Sequence, residues 1–142
     1  MRCVLIALLI LGISTDVAAQ ELESKERDPG IRVSLINLIA TPEVYHKKLV
    51  FVTGFASIEF ENNNLCLSKD RASTKDCVWI NYDDGPYETG ADLERFKKKE
   101  SEWKKYNGKR ISIRGVFDAK NTGHLGGSSG GIGHIIDVYD RR

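Results

Sequence analysis

Three histidines, His46, His124 and His134, and three cysteines are the residues of this sequence best suited to nucleophilic, acid–base or metal chemistry. Their spacing decides among those chemistries. Cys3 opens an N-terminal aliphatic stretch, which leaves Cys66 and Cys77, too far apart for a Cys-x-x-Cys redox pair and with no histidine at metal-ligand spacing. Both cysteines border apolar runs, Asn64-Leu65-Cys66-Leu67 and Cys77-Val78-Trp79-Ile80. The pair therefore reads as one disulfide stapling the mouth of a hairpin, with no metal and no cofactor implied. Tyr82-Asp83-Asp84 has the look of a carboxylate pair for acid–base work, but a second pair is missing, and turn formation before Gly85-Pro86 accounts for both aspartates. The run Gly123-His124-Leu125-Gly126-Gly127-Ser128-Ser129-Gly130-Gly131 offers clustered backbone amides to an anion, yet it lacks Gly-Lys-Ser/Thr and opens no helix. A gate or contact loop is the reading it supports.

Composition narrows the class. With 142 residues the chain has room for one domain, and at 41% hydrophobic it is too apolar to be disordered. Its 21 Lys+Arg against 20 Asp+Glu lack the basic excess of a dedicated nucleic-acid binder. The one local excess follows position 92, where Arg95, Lys97, Lys98, Lys99, Lys104, Lys105, Lys109 and Arg110 outnumber Asp92, Glu94, Glu100 and Glu102. Pairs such as Glu94 with Lys98 and Glu100 with Lys104 make that stretch an ordinary solvated helix face rather than a patch for an anionic partner.

The N-terminus carries an address. Met1-Arg2, an aliphatic run from Cys3 to Ile13 and Val17-Ala18-Ala19 before Gln20 have the layout of a cleaved secretory signal over residues 1–19. The run is shorter than the roughly 20 residues of a membrane span, so the expectation is an exported protein, periplasmic or secreted, with no transmembrane anchor in the mature chain. Charged residues ending in Asp28-Pro29-Gly30 predict a flexible leader over 20–32, followed by a single domain over 33–142.

Within that domain the periodicity changes several times. Leu35, Ile36, Leu38 and Ile39 recur at helical spacing behind Ser34, and Thr41-Pro42-Glu43 opens a second helical turn. Lys48 to Phe60 reads as a long strand with a bulge or bend at Gly54, and Glu61 to Asn64 as a turn. Short strands follow at Leu65–Ser68 and Cys77–Tyr82. Asp92–Tyr106 has a helical stripe of Leu93, Phe96, Trp103 and Tyr106, opened by Thr89 and Asp92 at capping-box spacing and closed by Asn107-Gly108. Alternation over Lys109–Phe117 and a final run, Ile132–Tyr139, supply two more strands, although adjacent Ile135 and Ile136 leave the buried face of the last one open.

Three strands, a helix and two strands, the first strand long and bent, is the element order of an OB-fold: a mainly β, five-stranded Greek-key barrel with one helix between strands three and four, here preceded by short N-terminal helical turns. The segment Thr41-Pro42-Glu43-Val44-Tyr45-His46-Lys47-Lys48-Leu49-Val50-Phe51-Val52-Thr53-Gly54-Phe55 resembles the opening of small exported bacterial OB-fold-like proteins of an uncharacterised group. Gly115-Val116-Phe117-Asp118-Ala119 with Gly123-His124-Leu125-Gly126 is similar to their closing half. The resemblance implies a fold and no activity. Turns of this kind often place a glycine shortly after the tyrosine, where this chain has His46-Lys47.

In such a barrel, ligands meet strands two and three and the loops joining strands one to two and four to five. Candidate ligand-binding residues are therefore Asn62, Asn63 and Asn64 in the first loop, Trp79 and Asn81 on strand three, and His124, Ser128 and Ser129 in the second loop. The resulting expectation is a non-enzymatic module for a protein, peptide or glycan. The alternative is a small hydrolase or metal-dependent enzyme built on His124 or His134 and an aspartate, and an inhibitor-like partner of an exported enzyme is also chemically compatible.

Overall fold

The structure is a computed structural model that describes residues 28–70, 73–85 and 88–141. The signal assignment over 1–19 lies outside the described residues. Strand β1 (Ile31–Arg32), helices α1 (Leu35–Ala40) and α2 (Pro42–Tyr45), strands β2 (Leu49–Glu59), β3 (Asn62–Cys66) and β4 (Cys77–Ile80), helix α3 (Gly90–Lys104) and strands β5 (Arg110–Asp118) and β6 (Gly131–Asp140) follow in order. The protein is mainly β, with one mixed six-stranded sheet. Its strands run β1-β2-β3-β4-β6-β5, and β2 pairs again with β5, so five of them join in a ring that is not a regular barrel.

Strand β2 is long because it serves two neighbours. Leu49 to Phe55 pair with β5, Phe55 to Glu59 pair with β3, and Phe55 belongs to both ladders. The ladder passes through Gly54 without a bulge. Glycine is needed there for space: a Cβ would sit 2.8 Å from Leu65 Cγ and 2.9 Å from the Cys66 carbonyl oxygen. The irregularity lies instead between Arg114 and Val116 of β5, where the register with β6 shifts and His134 takes a φ of 43°. That shift settles the Ile135–Ile136 ambiguity, since Ile135 packs against the core and Ile136 is exposed.

Two further segments depart from the sequence reading. Ile31–Arg32, within the expected leader, pairs in parallel with Val50 and Phe51. The asparagines expected to form the first loop are in β3: the turn is only Phe60-Glu61, Glu61 adopts a φ of 54°, and Asn62 pairs directly with Glu59. Asparagine is a turn residue when its amide bonds its own backbone. Here the Asn64 amide is bonded to side chains, donating to Asn62 Oδ1 at 2.5 Å and accepting from Ser128 Oγ at 2.7 Å.

The N-terminal helical turns form where the sequence places them, with the Ser34 hydroxyl accepting from the Asn37 N–H at 3.2 Å. After α2 the left-handed position falls on Lys47, at a φ of 61°, in place of a glycine. Its N–H donates to the Phe117 carbonyl at 2.7 Å and its ammonium meets Asp118, and these contacts offset the cost of that backbone conformation.

Helix α3 opens with the expected capping box, in which the Thr89 hydroxyl accepts from the Asp92 N–H and the Asp92 carboxylate accepts from the Thr89 N–H. A cap of this kind contributes about 1 kcal/mol. Phe96, Trp103 and Tyr106 face the core, while Leu93 is half exposed. Tyr82, just past β4, stacks on Phe96 and Trp103 at centroid distances of 5.9 and 5.5 Å. These rings fasten the helix to the ring of strands. The core beneath is Val50, Val52, Leu65, Val78, Ile80, Ile111, Ile113, Phe117 and Ile132, closed at one side by Leu35 and Leu38. Cys66 and Cys77 are directly opposed in β3 and β4 and form the expected disulfide.

Candidate functional site

The turn after β2, the end of β4 and the glycine-rich segment before β6 meet around a groove of about 560 Å³. Its lining includes Asn63, Trp79, Asn81 and His124 of the residues singled out from sequence, together with Phe60, Tyr82, Phe96, Asn121 and the carboxylates Glu61, Asp83 and Glu100. Its size and its mix of aromatic rings with a few polar groups are ordinary for a small-ligand site.

Asn62, Asn64, Ser128 and Ser129 stand outside this lining and act as fasteners. Ser128 is buried against Asn64, and the Ser129 hydroxyl donates to the Lys75 carbonyl at 2.8 Å while its N–H bonds the Cys77 carbonyl at 2.9 Å. These bonds seat the glycine-rich segment on β3 and β4. Trp79 is held from the same segment: a Cβ on Gly123, whose φ is 69°, would lie 2.5 Å from Trp79 Cε3, so the glycine backbone packs on the indole. His124 Nε2 lies 3.4 Å from Glu61 Oε2 and ties the two rim segments together. Both rims also present an apolar side chain to solvent, Phe60 at 83% exposure and Leu125 at 92%.

Each carboxylate of the lining has a cationic or imidazole neighbour. Asp83, only 4% exposed, accepts from the Gly85 N–H at 3.2 Å and is flanked by Arg95 Nε at 3.3 Å and Lys99 Nζ at 3.5 Å. Burial works to raise its pKa, but the Gly85 N–H, Lys99 and Arg95 together outweigh it and hold the carboxyl below the usual carboxylate range. Glu100 lies 3.5 Å from Lys104.

Asn63 differs from these. It is 7% exposed, its amide nitrogen donates to the Tyr82 hydroxyl at 3.3 Å, and its carbonyl oxygen is buried with no hydrogen-bond donor among the described residues. An unsatisfied buried acceptor of this sort costs about 1–3 kcal/mol.

The two histidines of the enzyme alternative occupy separate clusters. His134 Nδ1 is 3.2 Å from Asp84, whose other oxygen accepts from Asn81 at 2.5 Å, and His134 is outside the groove lining. His46 stands apart from both, its Nδ1 3.2 Å from the Ala119 N–H and 3.3 Å from Asp118 Oδ1. Among the described residues, no three His, Cys, Asp or Glu side chains assemble into a set able to hold a metal ion. On α3 the lysines find partners at helical spacing, Lys97 with Glu94 and Lys104 with Glu100. The residues sequence reasoning missed, Phe60, Tyr82, Phe96 and Glu100, come from a turn, a strand end and a helix far apart in the chain. Only an aromatic next to a turn or a helix stripe marked them in advance.

No protein-family model, curated protein or solved structure matches the chain. Among the described residues, no helix is long and apolar enough to cross a membrane.

Proposed function

We propose that this chain is an exported, non-enzymatic binding module of OB-fold-like design, taking a protein, peptide or glycan in the groove between the β2–β3 turn and the glycine-rich loop. The observation that carries the reading is the lining itself. It consists of aromatic rings and amides, and its carboxylates lie beside intramolecular partners rather than converging on a point where a substrate atom could react. The strand order supports the fold part of the proposal: β2-β3-β4 form a meander, α3 intervenes, β5 returns to β2, and β6 closes in parallel on β4. An OB-fold presents its ligand surface on the second and third strands of such a meander and on the two loops that here carry Glu61 and His124. The disulfide is compatible with an exported protein.

The test is differential cross-linking in a cell-envelope extract, with captured material identified as protein, peptide or glycan by mass spectrometry. Trp79→Ala is expected to lose the material captured by the wild-type protein. Equal recovery by both proteins would remove the groove as the binding surface.

A further inference from the structure

We infer that the ligand of this groove is an uncharged, hydroxyl-rich oligosaccharide, with the Asn63 side-chain carbonyl accepting a hydrogen bond from one of its hydroxyls. The inference deepens the binding-module reading and rests on it. Three independent features of the groove point to this chemistry.

The first is the unsatisfied amide. Asn63 lies in the groove lining with a buried carbonyl oxygen that no donor among the described residues reaches, while its nitrogen makes one long bond to Tyr82. The terminal torsion of asparagine is soft, and rotation about it would present the amide to a ligand as both an acceptor and a donor. A sugar hydroxyl is also both, and meets it with matched polarity.

The second is charge. Among the described residues the lining contains no lysine or arginine, so it offers nothing to a phosphate backbone, and single-stranded nucleic acid requires a positive groove beside its aromatic platforms. A basic peptide is disfavoured for the opposite reason. Asp83 is neutralised by Arg95 and Lys99 and Glu100 lies beside Lys104, so of the lining carboxylates only Glu61, beside the His124 imidazole, lacks a lysine or arginine neighbour.

The third is the aromatic face of the lining. The β3–β4 ladder runs only from Asn64 to Cys66, which leaves Asn62 and Asn63 open on that side, an edge too short for the run of main-chain bonds that strand addition uses. Recognition falls mainly to side chains. Phe60 and Trp79 offer rings on which the C–H face of a pyranose can lie, and Asn81 and Asn121 add amides at the margin.

The experiment is a titration of ¹⁵N-labelled protein, followed by NMR, with cellohexaose, maltohexaose and chitohexaose, and in parallel with a pool of uncharged decapeptides. At least one hexasaccharide is expected to shift the Trp79 indole N–H and the Asn63 side-chain amide saturably. Asn63→Leu, which removes the unsatisfied acceptor together with the bond to Tyr82, is expected to weaken that binding about tenfold. Phe60→Ala, at a side chain 83% exposed and thus safe for folding, is expected to weaken it several-fold as well. The inference is overturned if no hexasaccharide gives saturable shifts at about 10 mM, or if Asn63→Leu and Phe60→Ala both bind as tightly as the wild type. Decapeptides shifting the groove where sugars do not would sink the glycan and leave the binding module standing. Saturable sugar shifts confined to residues outside the groove would sink both.

Discussion

At neutral pH the Asp83 carboxylate lies buried beneath Arg95 and Lys99, which fixes the first turns of α3 against the end of β4. Its folded pKa lies below that of the unfolded chain, so its stabilisation is fully present above about pH 4 and is lost as pH falls through the folded value. Asp83→Asn is expected to lower stability at pH 7 by about 2 kcal/mol and to flatten the acid limb of a urea-denaturation series between pH 7 and pH 3. An acid limb as steep as in the wild type would place the sensitivity elsewhere, with Asp118, also held low by Lys47, as the next residue to replace. Gly123 tests the other wall of the groove. Gly123→Ala combines a φ of 69° with a Cβ 2.5 Å from Trp79 Cε3. It is expected to destabilise by about 1–3 kcal/mol and to change the near-UV circular dichroism of the indole. An unchanged near-UV spectrum would show that the loop does not seat Trp79.

Among the elements, β3 and β4 contribute Asn63, Trp79 and Ile80 to the groove, and they are the pair that the disulfide joins. The bridge spans a sequence separation of 11, and replacing both cysteines by alanine is expected to cost about 2–4 kcal/mol in chemical denaturation. Added reductant should reproduce that loss in the wild type and leave the double variant unchanged. Elements whose local chemistry and tertiary packing agree were readable from sequence. The Ser34 cap, the Thr89–Asp92 box, the alternation of Ile111 with Ile113 and the opposed cysteines all announce themselves within a few residues. Asn62 to Asn64 did not, because their turn propensity yields to side-chain bonds contributed by Ser128 and Tyr82, 64 and 19 residues away from Asn64 and Asn63. Gly54 misled for a related reason: it makes room for Leu65, and a single strand gives no sign of what crosses its far face. The groove was half legible, since Trp79, Asn81, His124 and Asn63 could be named but the charge balance around Asp83 needed α3 in place.

At the scale of the whole molecule, the ring is uneven. Strands β2 and β5 share seven paired positions, from Leu49 with Val116 to Phe55 with Arg110. Strands β4 and β6 share two, Trp79 with Gly131 and Ile80 with Ile132. The N–H groups of Trp79 and Asn81, which bond the Gly130 and Ile132 carbonyls across that short join, are expected to exchange with deuterium faster than those of Val52 and Ile113. Equal protection at the four amides would mean that the ring opens only as a unit.

The last strand brings a consequence for biosynthesis. Because β6 is the final piece of the sheet to leave the ribosome and bridges β4 to β5, a nascent chain lacking it has two bare flanks and an uncovered Ile80 and Phe117. Truncation anywhere before Gly131 should therefore yield sticky, protease-sensitive product rather than a smaller stable protein, because the ring closes only when β6 pairs with both β4 and β5.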